Sequence, residues 1–219
     1  MLKYIFSILI AIPFWLNAQD SIPDSSRRLV SGFGLGFDLA NVAVNITDES
    51  RSIYAASLEL KLKKRSYGEF VFGTQKQNFN KKLYDYSSNG WFGKIGYRYD
   101  FLNKENPSEK GLAFVGFRYA MSNFSFQVEN LSFINTYWGN YSSQIDKENF
   151  TCYWIEFGGG IQEALIGNFY LGWSLYGRLM LYTPEFEYFD PKNIPGYGKG
   201  NSKFNVGFEY SVFYKFPLE

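Results

Sequence analysis

The sequence predicts an all-β fold: an eight-stranded antiparallel up-and-down transmembrane β-barrel. Three observations predict it. Aromatic residues make up 21% of the 219 residues, with 23 Phe, 18 Tyr and 5 Trp. Apolar residues recur at period two along eight segments, the spacing of a strand with two unlike faces. The connections between these segments alternate between short and long, as periplasmic turns and outer loops do in a membrane barrel.

Met1–Ala18 reads as a secretory signal peptide, with Lys3 as its positive start and YIFSILIAIPFWL, Tyr4 to Leu16, as its apolar core. Residues 19–28 form a short polar N-terminal extension, and 29–219 are assigned to the barrel as one domain. Removing the leader takes one Lys and leaves 21 bases against 21 acids. The mature chain has no apolar run of the ~18 residues that a membrane helix needs.

The strands follow in order. Leu29–Leu39 sets Phe33, Leu35 and Phe37 against Gly32, Gly34, Gly36 and Asp38. Ser52–Leu62 sets Tyr54, Leu58 and Leu60 against Ser57, Glu59 and Lys61. Tyr67–Gln75 sets Phe70 and Phe72 against Glu69 and Val71, and Trp91–Phe101 sets Ile95, Tyr97 and Tyr99 against Lys94, Arg98 and Asp100. Leu112–Ser122 sets Val115, Phe117 and Tyr119 against Gly116 and Arg118. Beyond Asn123 the apolar phase slips to Phe124, Phe126 and Val128, which a β-bulge would explain. Phe150–Gln162, Phe169–Tyr182 and Lys203–Phe216 complete the set, with Glu156, Arg178, Lys203, Glu209 and Lys215 on their polar faces. Short connections fall at 63–66, 163–168 and 103–110. The long loops are Ala40–Arg51, Lys76–Gly90, Glu129–Asn149 and Thr183–Ser202.

Alternation alone also fits a secreted soluble lipocalin-like barrel binding an apolar ligand, whose apolar face points inward. Size separates the two readings. An eight-stranded interior is only just wide enough for side chains to fill, and the apolar faces here carry far too many aromatic rings. The opposite faces, rich in Gly, Ser and Ala, suit a crowded lumen. Apolar-out puts Trp91, Tyr99, Tyr153, Phe169 and Tyr214 at interfacial girdles. It puts Asp38, Glu59, Glu69, Asp100, Glu156 and Glu209 in the lumen with Lys61, Lys94, Arg98, Arg118, Arg178, Lys203 and Lys215. Charges in so narrow a space must pair. The expectation is therefore a salt-bridged lumen with at most weak passage of small solutes.

The composition removes several functions. With no His there is no His-based nucleophile activation and no His-ligated metal. One cysteine, Cys152, forms no disulfide framework, and near-zero net charge gives no bias toward nucleic acid. The chain reads as a non-enzyme without cofactor or metal. Asp48 with Glu49, and Glu185, Glu187 and Asp190, read as solvated loop acids. Asp146, Glu148 and Asn149 lack the Gly-kinked loop of a calcium motif. The glycines at 32, 34, 36 and 158–160 precede no helix that the periodicity predicts, so they read as strand glycines and not phosphate loops. The Asn-X-Ser/Thr sequons carry no weight in a bacterial barrel. The outer loops hold aromatic residues that could contact an extracellular ligand, Phe133, Tyr137, Trp138 and Tyr141 in the third and Phe186, Tyr188, Phe189 and Tyr197 in the fourth.

The segments LVSGFGLGFDLA at Leu29–Ala40, GFRYA at Gly116–Ala120, YWIEFGGGI at Tyr153–Ile161, LGWSL at Leu171–Leu175 and IPGYGKG at Ile194–Gly200 resemble a family of uncharacterised Bacteroidota proteins. That family is described as outer-membrane β-barrels of porin-like type. The resemblance covers most of the mature chain, and Pro195–Lys199 is its most specific piece. It implies a bacterial outer-membrane location after export, contact with outer-membrane lipid and insertion by the barrel-assembly machinery. It implies no activity and no site residues.

Overall fold

The computed structural model describes residues 30–63, 65–82, 84–102, 111–135, 139–186 and 190–217, with backbone alone at 63 and from 131 to 143. The leader, the extension and Leu29 lie outside the described residues.

The barrel strands are β1 (Gly32–Asp38), β2 (Arg51–Lys63), β3 (Ser66–Lys81), β4 (Tyr84–Asp100), β5 (Leu112–Asn135), β6 (Gly139–Ile166), β7 (Phe169–Tyr182) and β10 (Phe204–Pro217). Each pairs antiparallel with its neighbours in sequence, and β1 closes on β10 through pairs from Gly32↔Pro217 to Asp38↔Ser211. The barrel is thus closed, with eight strands in up-and-down order. Short β8 (Asn193–Ile194) and β9 (Gly198–Lys199) form a separate hairpin in the last connection.

The outer wall carries the apolar face. Leu35, Phe72, Ile95, Val115, Phe157, Leu175 and Val206 are each more than half exposed. From Val206 to Phe216 this face runs ~33 Å along the strand, or ~25 Å along the axis at a ~40° tilt, the height of a transmembrane band. Inward-facing Glu69, Lys94, Arg98, Arg118 and Glu156 are all buried. Phe169 and Tyr214 meet edge to face at 4.9 Å near the end of the wall where β6 turns into β7 at Gly167–Asn168.

Three expectations about the other end need correction. There is no bulge at Asn123: pairing with β4 runs unbroken from Asp100↔Phe114 to Asp85↔Glu129. Strand parity never changes there; the surroundings do. Along the level Thr74–Trp91–Asn123–Thr151, which these four residues share by cross-strand pairing, the two faces exchange character. Past it the outward residues become Lys76, Asn78, Ser87, Asn89 and Gln127, while the inward ones become Phe124, Phe126, Val128 and Tyr86. A wall leaving lipid for water, with a packed interior behind it, has this pattern.

Two long loops are not loops. Most of 76–90 and of 129–149 is strand, so β3 to β6 stand above the rest of the rim as a tall wall. Register irregularities do occur in the β5–β6 hairpin, but higher up, on either side of Val128. The first long loop contains a helix, α1 (Leu39–Thr47). Asp38 caps it, accepting from the Ala40 N–H at 2.9 Å. Asn45 ties it to the wall, exchanging two hydrogen bonds with the backbone of Ile53.

Candidate functional site: a sealed lumen

The middle of the lumen is an ion-pair lattice strung between walls. Arg118 on β5 is its centre. Its Nε lies 2.7 Å from Glu69 on β3, and one terminal nitrogen lies 2.8 Å from Glu209 on β10 and 3.2 Å from Glu156 on β6. Its guanidinium stacks on Tyr176 of β7, 3.8 Å from the ring centroid. Lys94 bridges Glu156 at 2.9 Å and Glu209 at 3.2 Å. Arg178 reaches Glu156 at 3.1 Å, close but poorly aligned as a hydrogen bond. Arg98 pairs with Glu69 and with Glu59, the latter at 3.2 Å, and lies 4.7 Å above the Phe114 ring.

Toward the far end, Lys215 donates to Gln162 at 2.7 Å and pairs with Glu59 at 3.2 Å, while Gln162 donates to Glu59 at 3.1 Å. Trp154 donates its indole N–H to Glu156 at 2.9 Å. Most of these charges have alternative partners on two or three strands, the arrangement that keeps buried ions from being costly.

Nine of the thirteen lumen charges expected from sequence join this lattice: Glu59, Glu69, Lys94, Arg98, Arg118, Glu156, Arg178, Glu209 and Lys215. Asp38 instead caps α1. Asp100 is buried and receives the N–H groups of Leu102 and Ala113, holding the chain where β4 ends and β5 begins. Lys61 and Lys203 are corrections: both are exposed at strand ends, where water and not the lumen solvates them. Tyr176, Gln162 and Arg51 are lumen groups that the sequence reading missed. Their signal was strand parity, since each lies an even number of residues from an inward charge or Gly on its own strand.

The outer mouth is partly filled by the chain itself. Residues 190–202 fold inward, and Ile194 and Tyr197 are fully buried in one cluster with Phe92, Phe124, Phe126, Val128 and Trp154. Tyr197 meets Trp154 edge to face at 5.5 Å, donates to the Ser202 carbonyl at 2.7 Å, and offers its own carbonyl to Arg178 at 3.0 Å. Gly196 has a φ of 73°, and a Cβ there would come within 2.4 Å of the Phe92 ring. Only glycine fits. Asn193 donates to Gln77 at 3.0 Å and the Lys192 N–H to the Tyr86 hydroxyl at 3.3 Å, fixing the plug to the tall wall. Burial raises the Tyr86 hydroxyl above its ordinary range, which keeps it protonated as a donor and acceptor.

Tyr197 is therefore no contact residue on an outer loop. Buried rings at the tip of a turn look, in sequence, like exposed ones. Phe186 is also partly withdrawn, packing edge to face on Phe150 at 5.0 Å and on Phe126 at 5.9 Å. Phe133 and Tyr141 are backbone register partners on the β5–β6 hairpin. Tyr137, Trp138, Tyr188 and Phe189 lie outside the described residues. Asp48 accepts from Ser50, and Asp146 from Gln144, both on exposed surface.

Between lattice and plug lies a cavity of about 260 Å³ along the small-residue wall of β1, β2, β10 and β7. Ser57, Gly172, Ser174 and Ser211 line it, with α1 and the plug at its outer end. It reaches down to Gln162 and Phe213, beside the Lys215–Glu59 pair.

These features define a closed eight-stranded barrel whose interior is crossed by ion pairs and capped by an infolded loop. The chain belongs, over all of residues 1–219, to the family described as a domain of unknown function, DUF6048. No curated protein matches it. Among solved structures it is similar to the N-terminal β-barrel domain of Pseudomonas aeruginosa OprF, at 15% identity and a TM-score of 0.44, over 85% of this chain and 98% of that one. It is also similar to Ail, the attachment invasion locus protein of Yersinia pestis, at 10% identity and a TM-score of 0.41, over 84% and 97%.

Proposed function

We propose that this protein is a small outer-membrane barrel that conducts no more than trace solute and works through the tall β3–β6 wall it presents outside the cell. The observation that carries this reading is the exchange of faces at the Thr74–Trp91–Asn123–Thr151 level. Below it the wall is dressed for lipid; above it the same strands are dressed for water and pack around the chain's own plug. From Asn123 to Asn135, β5 carries roughly 40 Å of strand past that level at ~3.3 Å per residue. Such an investment outside the bilayer supports a structural or contact role for the hairpins, with the aromatic residues at 133–141 as the contact candidates.

The lattice and plug together support the absence of a pore, and a sequence without His supports a non-enzymatic role. Export by the 1–18 leader and insertion by the barrel-assembly machinery are part of the same reading. The test is gel mobility of the outer-membrane fraction with and without boiling, followed by planar-bilayer recording of the pure protein. A boiling-dependent shift with negligible current agrees with the proposal. A soluble protein showing no shift, or a stable large conductance, would overturn it.

A further inference from the structure

The cavity contains a donor that the lattice does not use. Arg51 opens β2 and points inward, in step with Ile53 and Ala55 below it. It forms no ion pair with any described residue. Its one side-chain hydrogen bond is a long contact of 3.4 Å to the Gln75 amide oxygen, and its Nε is buried without an acceptor. Buried donors of this kind ordinarily have a partner. A guanidinium without a carboxylate, facing a void, is set for an oxygen acid.

The surroundings favour an anion over a cation at this end. Burial disfavours the Arg51 charge most, Asp48 offsets part of that from the turn, and Arg178, also on the cavity, adds a smaller repulsion. A bound anion between them relieves that repulsion. Asp48, the nearby acid on the α1–β2 turn, is exposed and turned to Ser50. Asp38 and Glu209 lie deeper, the first held by Ala40 and Asn41, the second by Lys94, Arg118 and Ser174. The other cations on the cavity are taken up in the lattice, Lys94 by Glu156 and Glu209, Arg98 by Glu59 and Glu69, and Arg118 by Glu69, Glu156 and Glu209.

We propose that the outer end of this cavity binds a small dissolved oxyanion, of the phosphate or short-carboxylate kind, with Arg51 as its principal ligand and Arg178 as its second. A water needs only ~10–15 Å³ of such space, so 260 Å³ admits a small ion with its hydration but no macromolecular group. Lipid headgroups are excluded because Arg51 faces the lumen. The site is inside the barrel, so it stands whichever solvent bathes the outer wall.

The experiment is calorimetric titration of the purified, refolded barrel with sodium phosphate and sodium acetate, against sodium chloride at equal ionic strength. The expected result is saturable one-site binding of phosphate or acetate that inositol hexakisphosphate, too large for the cavity, does not compete away. Arg51→Gln weakens it more than about tenfold, the loss of one charge-assisted contact. Arg51→Lys retains part, and Lys203→Gln, the same charge change on the exposed rim, retains all. Absence of saturable binding in the unaltered protein, competition by the large anion, or an equal loss in Lys203→Gln would each overturn the proposal. The first two readings need no variant to fold.

Discussion

Replacing Arg118 by Met keeps most of the side-chain bulk and removes one charge at the crossing of four strands. Five hydrogen bonds go with it, two to Glu69, two to Glu209 and one to Glu156. Each carboxylate keeps another cation: Arg98 for Glu69, and Lys94 and Arg178 for the other two. The gross loss is therefore not the net loss. Breaking a buried pair from one side costs roughly 3–5 kcal/mol, because an acid is left short of charge in a poorly hydrated place.

The companion variant Arg118→Met/Glu209→Met removes a matched pair and should recover at least about 2 kcal/mol of that loss, since apolar replacement of a whole buried pair is often neutral. The assay is urea unfolding of the barrel in detergent micelles, followed by tryptophan fluorescence and by the fraction of the compact band on unboiled gels. If Arg118→Met costs under about 1 kcal/mol, the value of a solvated surface pair, the lumen is wet and the reasoning fails. It fails equally if the double variant is no more stable than the single.

Two further outcomes follow from other parts of the fold. Gly196→Val should expel the plug, because the new side chain would overlap the Phe92 ring and the positive φ adds ~1–3 kcal/mol of strain; chymotrypsin should then cut after Tyr197 while the unboiled band stays compact, and continued resistance would show that the plug does not depend on that close approach. Phe117→Arg should lower the yield of inserted barrel, at a cost of ~2–4 kcal/mol toward the middle of a bilayer, whereas Gln127→Arg on the same face of the same strand should cost nothing measurable; equal behaviour of the two would remove the lipid band from β5.

The architecture was readable in the sequence because parity survives every change of environment. Val115, Phe117 and Tyr119 announce a strand whichever solvent they face. What parity could not announce was where lipid ends. The run Phe124–Val128 looked like a slipped register because its apolar side chains fall on the inner face, yet the strand goes straight on. The polar hairpins at 76–90 and 129–149 looked like loops because Asn, Ser, Lys and Asp dress a strand in water as readily as they build a turn. Most lattice charges were legible, since an ionic side chain on the face opposite a row of Phe and Tyr has nowhere else to go in a narrow barrel.

Lys61 and Lys203 misled because strand ends escape the lumen. Arg51 was hidden in what read as a loop, although its spacing from Ile53 and Ala55 already put it on the inner face. Helix α1 had a signal of its own in Asp38, a capping residue placed just before Leu39. The tyrosine of IPGYGKG could not be placed from sequence at all: only the folded plug shows that Tyr197 points into the barrel and not out of it.

The claim on which the rest depends is that the apolar wall of the barrel faces lipid and that this ends at the Thr74–Trp91–Asn123–Thr151 level. Cys152 is the one cysteine, so Cys152→Ser gives a background for single-cysteine fluorophore attachment. Labels at Phe72, Ile95 and Tyr119 are to be compared with labels at Asn78, Ser87 and Gln127, all on the outward face, in vesicles containing brominated lipid or bathed in iodide. The account predicts bromolipid quenching for the first three and iodide quenching for the second three. Iodide quenching at all six, with none from lipid, would contradict it.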